Sequence, residues 1–138
     1  MTKTLLIGAS SAIAKALQEN SDKEFISLSR SEGTLDLGGD LNELDNISDI
    51  DGLVYFPGTI NLKPFAMLKE DDFINDFSVN VLGAVKVLKK VINQLKEADG
   101  ASVVFISSVA ANLGLPYHAS ISAAKSALEG MSLSLIHI

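Results

Sequence analysis

The chain has 138 residues, of which 47% are hydrophobic, so it can bury the core of one domain but not of two. It has zero cysteines, which excludes disulfides, thiolate nucleophiles and cysteine-based zinc sites. The formal net charge is -6 and no basic stripe is longer than Lys89-Lys90, which argues against a nucleic-acid partner. No apolar run reaches the roughly 18 residues of a membrane span and no signal pattern is present, so we expect a cytoplasmic protein without a membrane partner.

Short β-rich runs alternate with helical patterns along the chain. Strands are predicted at residues 4–7, 24–29, 53–56 and 102–107, and helices at residues 12–19 and 81–95. The second helix is amphipathic, with apolar residues at i, i+3, i+4 and i+7 and lysines opposite. Such alternation predicts an α/β, Rossmann-like doubly wound parallel sheet with helices on both faces and with ligand sites at the carboxyl ends of its strands. Residues 31–51 leave too little chain for a full crossover helix.

The first strand runs directly into a turn of small residues that opens a helix. The turn reads Gly8-Ala9-Ser10-Ser11-Ala12-Ile13-Ala14, in which Gly8 can take the tight bend. The free N–H groups at the start of such a helix can receive a pyrophosphate. Turns of this kind also occur in many α/β proteins that bind no nucleotide, so the remaining segments have to decide between the two interpretations.

The order of these segments resembles the short-chain dehydrogenase/reductase family, whose glycine motif is Thr-Gly-x-x-x-Gly-x-Gly. Two of the three glycines are replaced here, by Ala12 and Ala14. The resemblance implies a cofactor site at Gly8, Ser10, Ser11 and Ile13. Ala12 stands where backbone should closely approach the phosphates, which puts tight binding in question.

The same resemblance assigns further cofactor contacts. The basic residue Arg30 follows the second strand, where the family pairs such a residue with a 2'-phosphate, and this favours NADP(H) over NAD(H). Asp36 is expected beside the adenine, with Asp40 as the alternative. Gly58 alone survives from the family's Asn-Asn-Ala-Gly motif, and Asn80 falls where the family holds a water linked to its catalytic lysine.

The most specific stretch begins at Ser108, which matches the family's catalytic serine. In the family a tyrosine follows after 12 intervening residues and a lysine comes four residues later; counting from Ser108 reaches Ile121 and then Lys125. The family's lysine lowers the pKa of the phenol and holds the nicotinamide ribose. Ile121 cannot transfer a proton, so the resemblance implies a site that has lost its tyrosine.

Three groups could replace that tyrosine as the proton donor. His118 lies seven residues before Lys125, on nearly the same helical face, and an imidazole can act as an acid. Tyr117 lies eight residues before Lys125 and points in a different direction, so it is less suitable. Lys125 itself, or a water chain through Asn80, is the third candidate.

The last six residues, 133–138, resemble a translated sequencing adaptor, with a native apolar helix end as the alternative. We expect residues 1–132 to be an incomplete nucleotide-binding domain, truncated after the helix that carries Lys125, and to be inactive as a fragment. For the full-length protein we expect an NAD(P)(H)-dependent oxidoreductase of carbonyl or alcohol substrates that forms a homodimer or homotetramer without a metal. The alternative is a non-catalytic protein that binds a nicotinamide nucleotide as a sensor or scaffold.

Overall fold

The structure is a computed structural model that describes residues 2–137, and these residues include a parallel sheet. The four strands are β1 (Lys3–Ile7), β2 (Phe25–Leu28), β3 (Ile50–Tyr55) and β4 (Ser102–Phe105). Their order in the sheet is β2-β1-β3-β4, and every pairing is parallel. The predicted α/β, Rossmann-like class is therefore confirmed.

Four α-helices connect and follow these strands in the described part of the chain. They are α1 (Ala12–Glu19), α2 (Glu70–Phe77), α3 (Gly83–Glu97) and α4 (Ala119–Leu135). A π-helical turn, Ser78–Leu82, joins α2 to α3. Such turns widen the helix locally and are frequent at functional sites. No helix among residues 2–137 has the length and apolar character needed to cross a membrane.

The chain divides into two compact units. The first unit contains the residues up to Phe56 together with Lys86–Phe105, and the second contains Pro57–Val85 together with the residues from Ile106 onward. The sheet and α1 belong to the first unit, whereas α2, the π-helical turn and α4 belong to the second.

The core of the first unit forms around β1, whose residues Leu5, Leu6 and Ile7 are fully buried. The predicted absence of a crossover helix between β2 and β3 is confirmed, because residues 31–49 contain only a short 3-10 turn. Side chains of α3 hold this segment in place: Lys86 donates to the carbonyls of Leu37 and Gly39, and Gln94 donates to that of Ile47. Buried leucines anchor the same segment; they are Leu35, Leu41 and Leu44.

The core of the second unit lies along α4. Ile121, Ala124 and Leu128 are buried on this helix at i, i+3 and i+7, as expected for one face of a helix. Ser120 and Lys125 are polar residues of α4 that are buried as well. Burial of polar groups requires hydrogen-bond partners, and these partners define the candidate site below.

The predicted boundaries differ from the observed ones in two instructive places. Strand β3 begins at Ile50, before the predicted start at residue 53, because Ile50 pairs with Lys3 of β1 despite the polar Asp51 that follows it. Strand β4 ends at Phe105, before the predicted end at residue 107. The next carbonyl, that of Ile106, accepts a hydrogen bond from the Lys125 side chain. Helix α4 continues through the predicted boundary at residue 132, and Ile138 of the predicted tail lies outside the described residues.

Candidate functional site

The turn between β1 and α1, residues 8–13, is here called the Gly8 turn. Gly8 has a φ of 78°, a conformation that glycine adopts without a steric cost. The N–H groups of Gly8 and Ala9 both donate to the Leu28 carbonyl, at 2.8 and 3.1 Å, which ties the turn to the end of β2. Ser11 caps α1, since its Oγ accepts a hydrogen bond from the Ala14 N–H at 3.2 Å.

The cap leaves the first N–H groups of α1 available. Ala12 and Ile13 precede the first hydrogen bond of the helical ladder, which runs from the Lys15 N–H to the Ser11 carbonyl. The Ile13 side chain is 62% exposed, which is unusual for an isoleucine in a domain of this size. The Gly8 turn therefore combines backbone donors with an exposed apolar side chain, although Ala12 adds a methyl group to it.

The two other predicted cofactor residues of the first unit are exposed. Arg30 lies two residues beyond Leu28, the last residue of β2, and is exposed. Ser29, beside it, is buried and donates through Oγ to Glu32 Oε2 at 3.1 Å, so a carboxylate also lies at this strand end. Asp36 closes a tight turn, because its Oδ1 accepts from the Gly38 N–H at 2.9 Å.

In the second unit, three of the predicted residues come together in an arrangement that we call the Gly58 notch, formed by Gly58, Asn80 and Lys125. A Cβ on Gly58 would stand 2.9 Å from Asn80 Oδ1 and 3.5 Å from Lys125 Nζ. Asn80 is fully buried within the π-helical turn, and its Oδ1 has no hydrogen-bond partner among the described residues. A buried acceptor without a partner is costly, so this atom is poised to accept from a ligand or a water.

Lys125 supplies the donor side of the Gly58 notch. Its Nζ donates to the Ile106 carbonyl at 2.7 Å, which leaves two further N–H groups of the ammonium. Lys125 is only 8% exposed, and burial lowers its pKa because the charged form loses hydration. Asn80 Oδ1 and Lys125 Nζ thus both lie within 4 Å of the position that a Cβ on Gly58 would take.

Ser108 has an extended backbone between β4 and a short 3-10 turn, Val109–Ala111. Its Oγ accepts from the Ala110 N–H at 3.1 Å, so its hydroxyl hydrogen stays available as a donor. Ile121, which stands at the family's tyrosine position, is 3% exposed and contributes to the core of the second unit.

His118 lies at the start of α4, immediately before the first helical residue. Its Nδ1 is 2.6 Å from the Pro116 carbonyl, so Nδ1 carries the hydrogen and Nε2 faces elsewhere. His118 lines a cavity of about 400 Å³ together with Ser122, one helical turn later, and with loop residues that include the polar Lys63 and Asn112. Tyr117 lines it too, but has a φ of 65° and lies outside the helix, so helical spacing from Lys125 does not apply to it.

Two carboxylates that sequence reasoning missed also hold the second unit together. Asp76, on α2 four residues before Asn80, is fully buried and accepts three hydrogen bonds. Glu129, one turn after Lys125, accepts from Ser107 Oγ and from Asn112 Nδ2 on the segment that carries Ser108. Asp76 is spaced i, i+4 from Asn80 and Glu129 is spaced i, i+4 from Lys125, but this spacing alone does not indicate burial or hydrogen-bond partners.

Residues 41–137 match the family model described as short chain dehydrogenase. The chain belongs to the short-chain dehydrogenase family. This family membership agrees with the parallel sheet and its strand order.

Curated relatives support the assignment. The chain is 31% identical over 133 residues to the 3-ketodihydrosphingosine reductase of Mus musculus, which covers 88% of the chain and 40% of that relative. It is 35% identical over 86 residues to the 17-beta-hydroxysteroid dehydrogenase type 1 of Homo sapiens, which covers 62% of the chain and 26% of that relative. The chain thus spans well under half the length of these relatives.

Solved structures share the fold. A short-chain dehydrogenase from Streptomyces avermitilis superposes with a TM-score of 0.83 at 24% identity, over 98% of this chain and 60% of that one. A small-chain dehydrogenase in complex with NADPH superposes with a TM-score of 0.81 at 20% identity, over 94% of this chain and 61% of that one. At this identity the likeness concerns the fold.

Short-chain dehydrogenases bind nicotinamide cofactors, so the residues present can be tested for their fit to such a group. The Gly58 notch fits a ribose: it offers an unpartnered buried acceptor, Asn80 Oδ1, and the spare N–H groups of Lys125, around a glycine whose Cβ would fill the space. The Gly8 turn fits a phosphate with its backbone donors, but less closely because of the Ala12 methyl group. Among residues 2–137 no cluster of histidine and acidic side chains could hold a metal ion.

Proposed function

We propose that the chain is the nucleotide-binding and catalytic part of an NAD(P)(H)-dependent oxidoreductase that acts on a small carbonyl or alcohol substrate. The observation that supports this most directly is the convergence of Asn80 Oδ1 and Lys125 Nζ on Gly58, each with hydrogen-bonding capacity to spare. A bound nicotinamide would supply or accept the hydride. The side chains of this chain would bind the ribose, polarise the substrate oxygen and transfer the proton.

Lys125 would hold the ribose of the nicotinamide through the two N–H groups that Ile106 leaves unused. Asn80 Oδ1 would accept a hydrogen bond from a hydroxyl group or a water at the same notch. Because Lys125 is buried and its pKa is lowered, its ammonium is easier to deprotonate than an exposed lysine, so it also stays a candidate link in a proton path.

Ser108 would polarise the substrate oxygen. Its Oγ already accepts from the Ala110 N–H, which orients the side chain, and its hydroxyl hydrogen would donate to the substrate oxygen. A neutral donor of this kind stabilises the charge that develops on a carbonyl oxygen during hydride addition.

His118 is the proton donor that we favour in place of the missing tyrosine. The Pro116 carbonyl holds the hydrogen of Nδ1, so proton exchange with a substrate falls to Nε2. The cavity that His118 lines is about 400 Å³, within the range of small-molecule sites. In the reductive direction the imidazolium would donate a proton to the substrate oxygen, and in the oxidative direction the neutral imidazole would accept one.

Within the first unit, Arg30 supports a preference for NADP(H) over NAD(H). It is exposed at the end of β2 and is free to form a forked contact with a phosphate. We propose that the Gly8 turn, through Ser10, Ser11 and Ile13, contacts the pyrophosphate, and that Asp36 lies beside the adenine.

We also propose that the full-length protein forms a homo-oligomer. Exposed apolar side chains on α2 and the π-helical turn flank a groove of about 320 Å³ against α4; they are Ile74, Phe77 and Leu82. Exposed apolar surface of this kind marks an interaction site. The cytoplasmic location stays a prediction from the sequence.

The full-length protein can be tested by following NADPH and NADH oxidation at 340 nm across a broad panel of aldehydes and ketones. We expect carbonyl-dependent oxidation, faster with NADPH. A protein that binds NADPH but oxidises none of it with any substrate would support the non-catalytic alternative. In that case Ile121→Tyr, which restores the family's acid, should create activity that the parent lacks, by a factor on the order of 10² or more.

A further inference from the structure

Asp76 of α2 lies beside the Gly58 notch and has no part in the roles proposed above. It is fully buried, and within the described residues no ion pair involves it. Burial of a carboxylate without a cation is costly unless hydrogen bonds satisfy both oxygens. The three contacts of Asp76 must therefore offset that cost.

All three donors to Asp76 are neutral side chains from outside α2. Oδ1 accepts from Thr59 Oγ1 at 2.6 Å and from Asn61 Nδ2 at 2.9 Å, and Oδ2 accepts from Ser120 Oγ at 2.6 Å. Hydrogen bonds between a hydroxyl and a carboxylate at this distance are among the stronger ones in proteins. The carboxylate thus fastens the loop after β3 and the start of α4 to α2.

Each side of the Gly58 notch depends on one of these attachments. Thr59 directly follows Gly58, and Ser120 lies five residues before Lys125 on α4. The main-chain carbonyl of Asp76 accepts from Asn80 Nδ2 at 2.8 Å, which fixes the amide so that Oδ1 faces Gly58. Gly58, Asn80 and Lys125 are therefore all held relative to a single residue.

We propose that Asp76 is a positioning residue for the Gly58 notch: through Thr59, Ser120 and its own carbonyl it sets the spacing at which Asn80 and Lys125 receive the nucleotide ribose. The inference rests on the proposed function. It adds a residue that the family resemblance does not assign, and it predicts that a change at Ser120 or Asp76 acts on nucleotide binding through Lys125.

A double-mutant cycle on NADPH affinity tests this inference. The affinity is measured by NADPH fluorescence for the parent, Ser120→Ala, Lys125→Met and the double variant, with urea unfolding as the measure of folding. We expect Ser120→Ala alone to raise Kd about tenfold, which is the effect of one lost charge-assisted hydrogen bond. In the Lys125→Met background the same change should raise Kd by no more than about twofold, because the residue that Ser120 positions is already gone.

Ser132→Ala is the matched control, since the Ser132 hydroxyl donates to the Leu128 carbonyl within the same helix. It should leave Kd unchanged. Equal effects of Ser120→Ala in both backgrounds would show a merely structural role and overturn the inference. A folded parent that binds no NADPH would instead refute the proposed function, and the inference with it.

The isosteric variant Asp76→Asn gives a second readout. Its amide oxygen can still accept from Thr59 and Asn61, and the Ser120 hydroxyl can rotate to accept from its NH₂ group. We expect Asp76→Asn to keep Kd within about threefold of the parent, and Asp76→Ala to raise it by on the order of 10-fold or more. If Asp76→Asn and Asp76→Ala are both folded and raise Kd equally, a positioning role through these hydrogen bonds is contradicted.

Discussion

The two regions proposed to contact the nucleotide, the Gly8 turn and the Gly58 notch, are built in different ways. The Gly8 turn uses main-chain N–H groups and exposed side chains, so most of its side chains can change without loss of a donor. The Gly58 notch uses the side chains of buried Asn80 and Lys125, which are held by further hydrogen bonds.

This difference agrees with which glycines of the family's motifs are kept in this chain. Ala12 replaces a glycine in the Gly8 turn, whereas Gly58 is retained in the notch. Alanine at position 12 adds one exposed methyl group to the Gly8 turn. A methyl group on Gly58 would stand 2.9 Å from a buried polar atom, closer than real Cβ atoms come to other heavy atoms. We therefore expect substitutions in the Gly58 notch to weaken nucleotide binding more than substitutions in the Gly8 turn.

The largest effect is expected at His118. His118→Ala should reduce kcat by about 10²-fold or more, since it removes the proposed acid, and should leave the Kd for NADPH unchanged. Steady-state kinetics and fluorescence titration measure the two quantities. Tyr117→Phe is the control for the neighbouring phenol, with kcat expected within about twofold of the parent. A large loss in Tyr117→Phe instead would assign the proton to Tyr117.

Gly58→Ala should raise the Kd for NADPH by about 10- to 100-fold, the equivalent of the 1–3 kcal/mol that overpacking costs. Its Cβ would displace Asn80 Oδ1 from the notch. Gly130→Ala is the matched control on α4, because a Cβ there meets nothing within 4 Å. This control should bind normally. A Gly58→Ala variant that also binds normally would show that the notch does not hold the nucleotide.

Arg30→Ala should raise the Kd for NADPH about tenfold and change the Kd for NADH little, because a charge-assisted contact with the 2'-phosphate is lost. Paired titrations with NADPH and NADH measure the two Kd values and their ratio. Lys15→Ala removes a different exposed charge of the first unit and serves as the control. An equal rise in Kd for both nucleotides would contradict a contact between Arg30 and the 2'-phosphate.

Ala12→Gly should lower the Kd for NADPH by a few-fold at most, by allowing closer approach of backbone to the pyrophosphate. The gain is partly offset because glycine costs up to about 1 kcal/mol relative to alanine within a helix. Fluorescence titration and urea unfolding separate the two contributions. If Ala12→Gly increased affinity by 100-fold, the Gly8 turn rather than the Gly58 notch would dominate binding.

The smallest effect concerns the pH dependence of stability. Burial holds the pKa of Lys125 in the folded chain below its ordinary value of 10.5. Between these two values the unfolded chain binds more protons, so folding stability gains from this residue as the pH rises. The free energy of unfolding of the parent should therefore rise relative to that of Lys125→Met between pH 7 and pH 10. Urea unfolding at each pH measures both free energies. A difference between the two proteins that stays constant over this pH range would contradict the desolvation of Lys125.

The fold could be predicted from local patterns to a large extent. Helix α1 was predicted with the observed bounds, since a glycine turn and a capping serine mark its start. The start of β3 was missed because Asp51 interrupts the apolar run, and pairing with β1 outweighs that local signal.

The candidate site was predictable only where a motif defines a spacing. Ser108 and Asn80 were assigned from resemblance to the family's motifs and Lys125 by counting from Ser108, whereas Asp76 was missed. Acidic residues on an amphipathic helix are usually exposed, so nothing local marks Asp76 as buried. Its burial depends on Thr59 and Ser120, which are distant in sequence and meet it only in the folded unit.

The most direct test of this account is the titration of NADPH into the parent chain and into Lys125→Met, followed by nucleotide fluorescence. If the Gly58 notch holds the nucleotide ribose, the parent binds NADPH and Lys125→Met raises Kd by about tenfold or more while urea unfolding shows it to be folded. Equal affinities for the two folded proteins would contradict the assignment of the Gly58 notch as the nucleotide site.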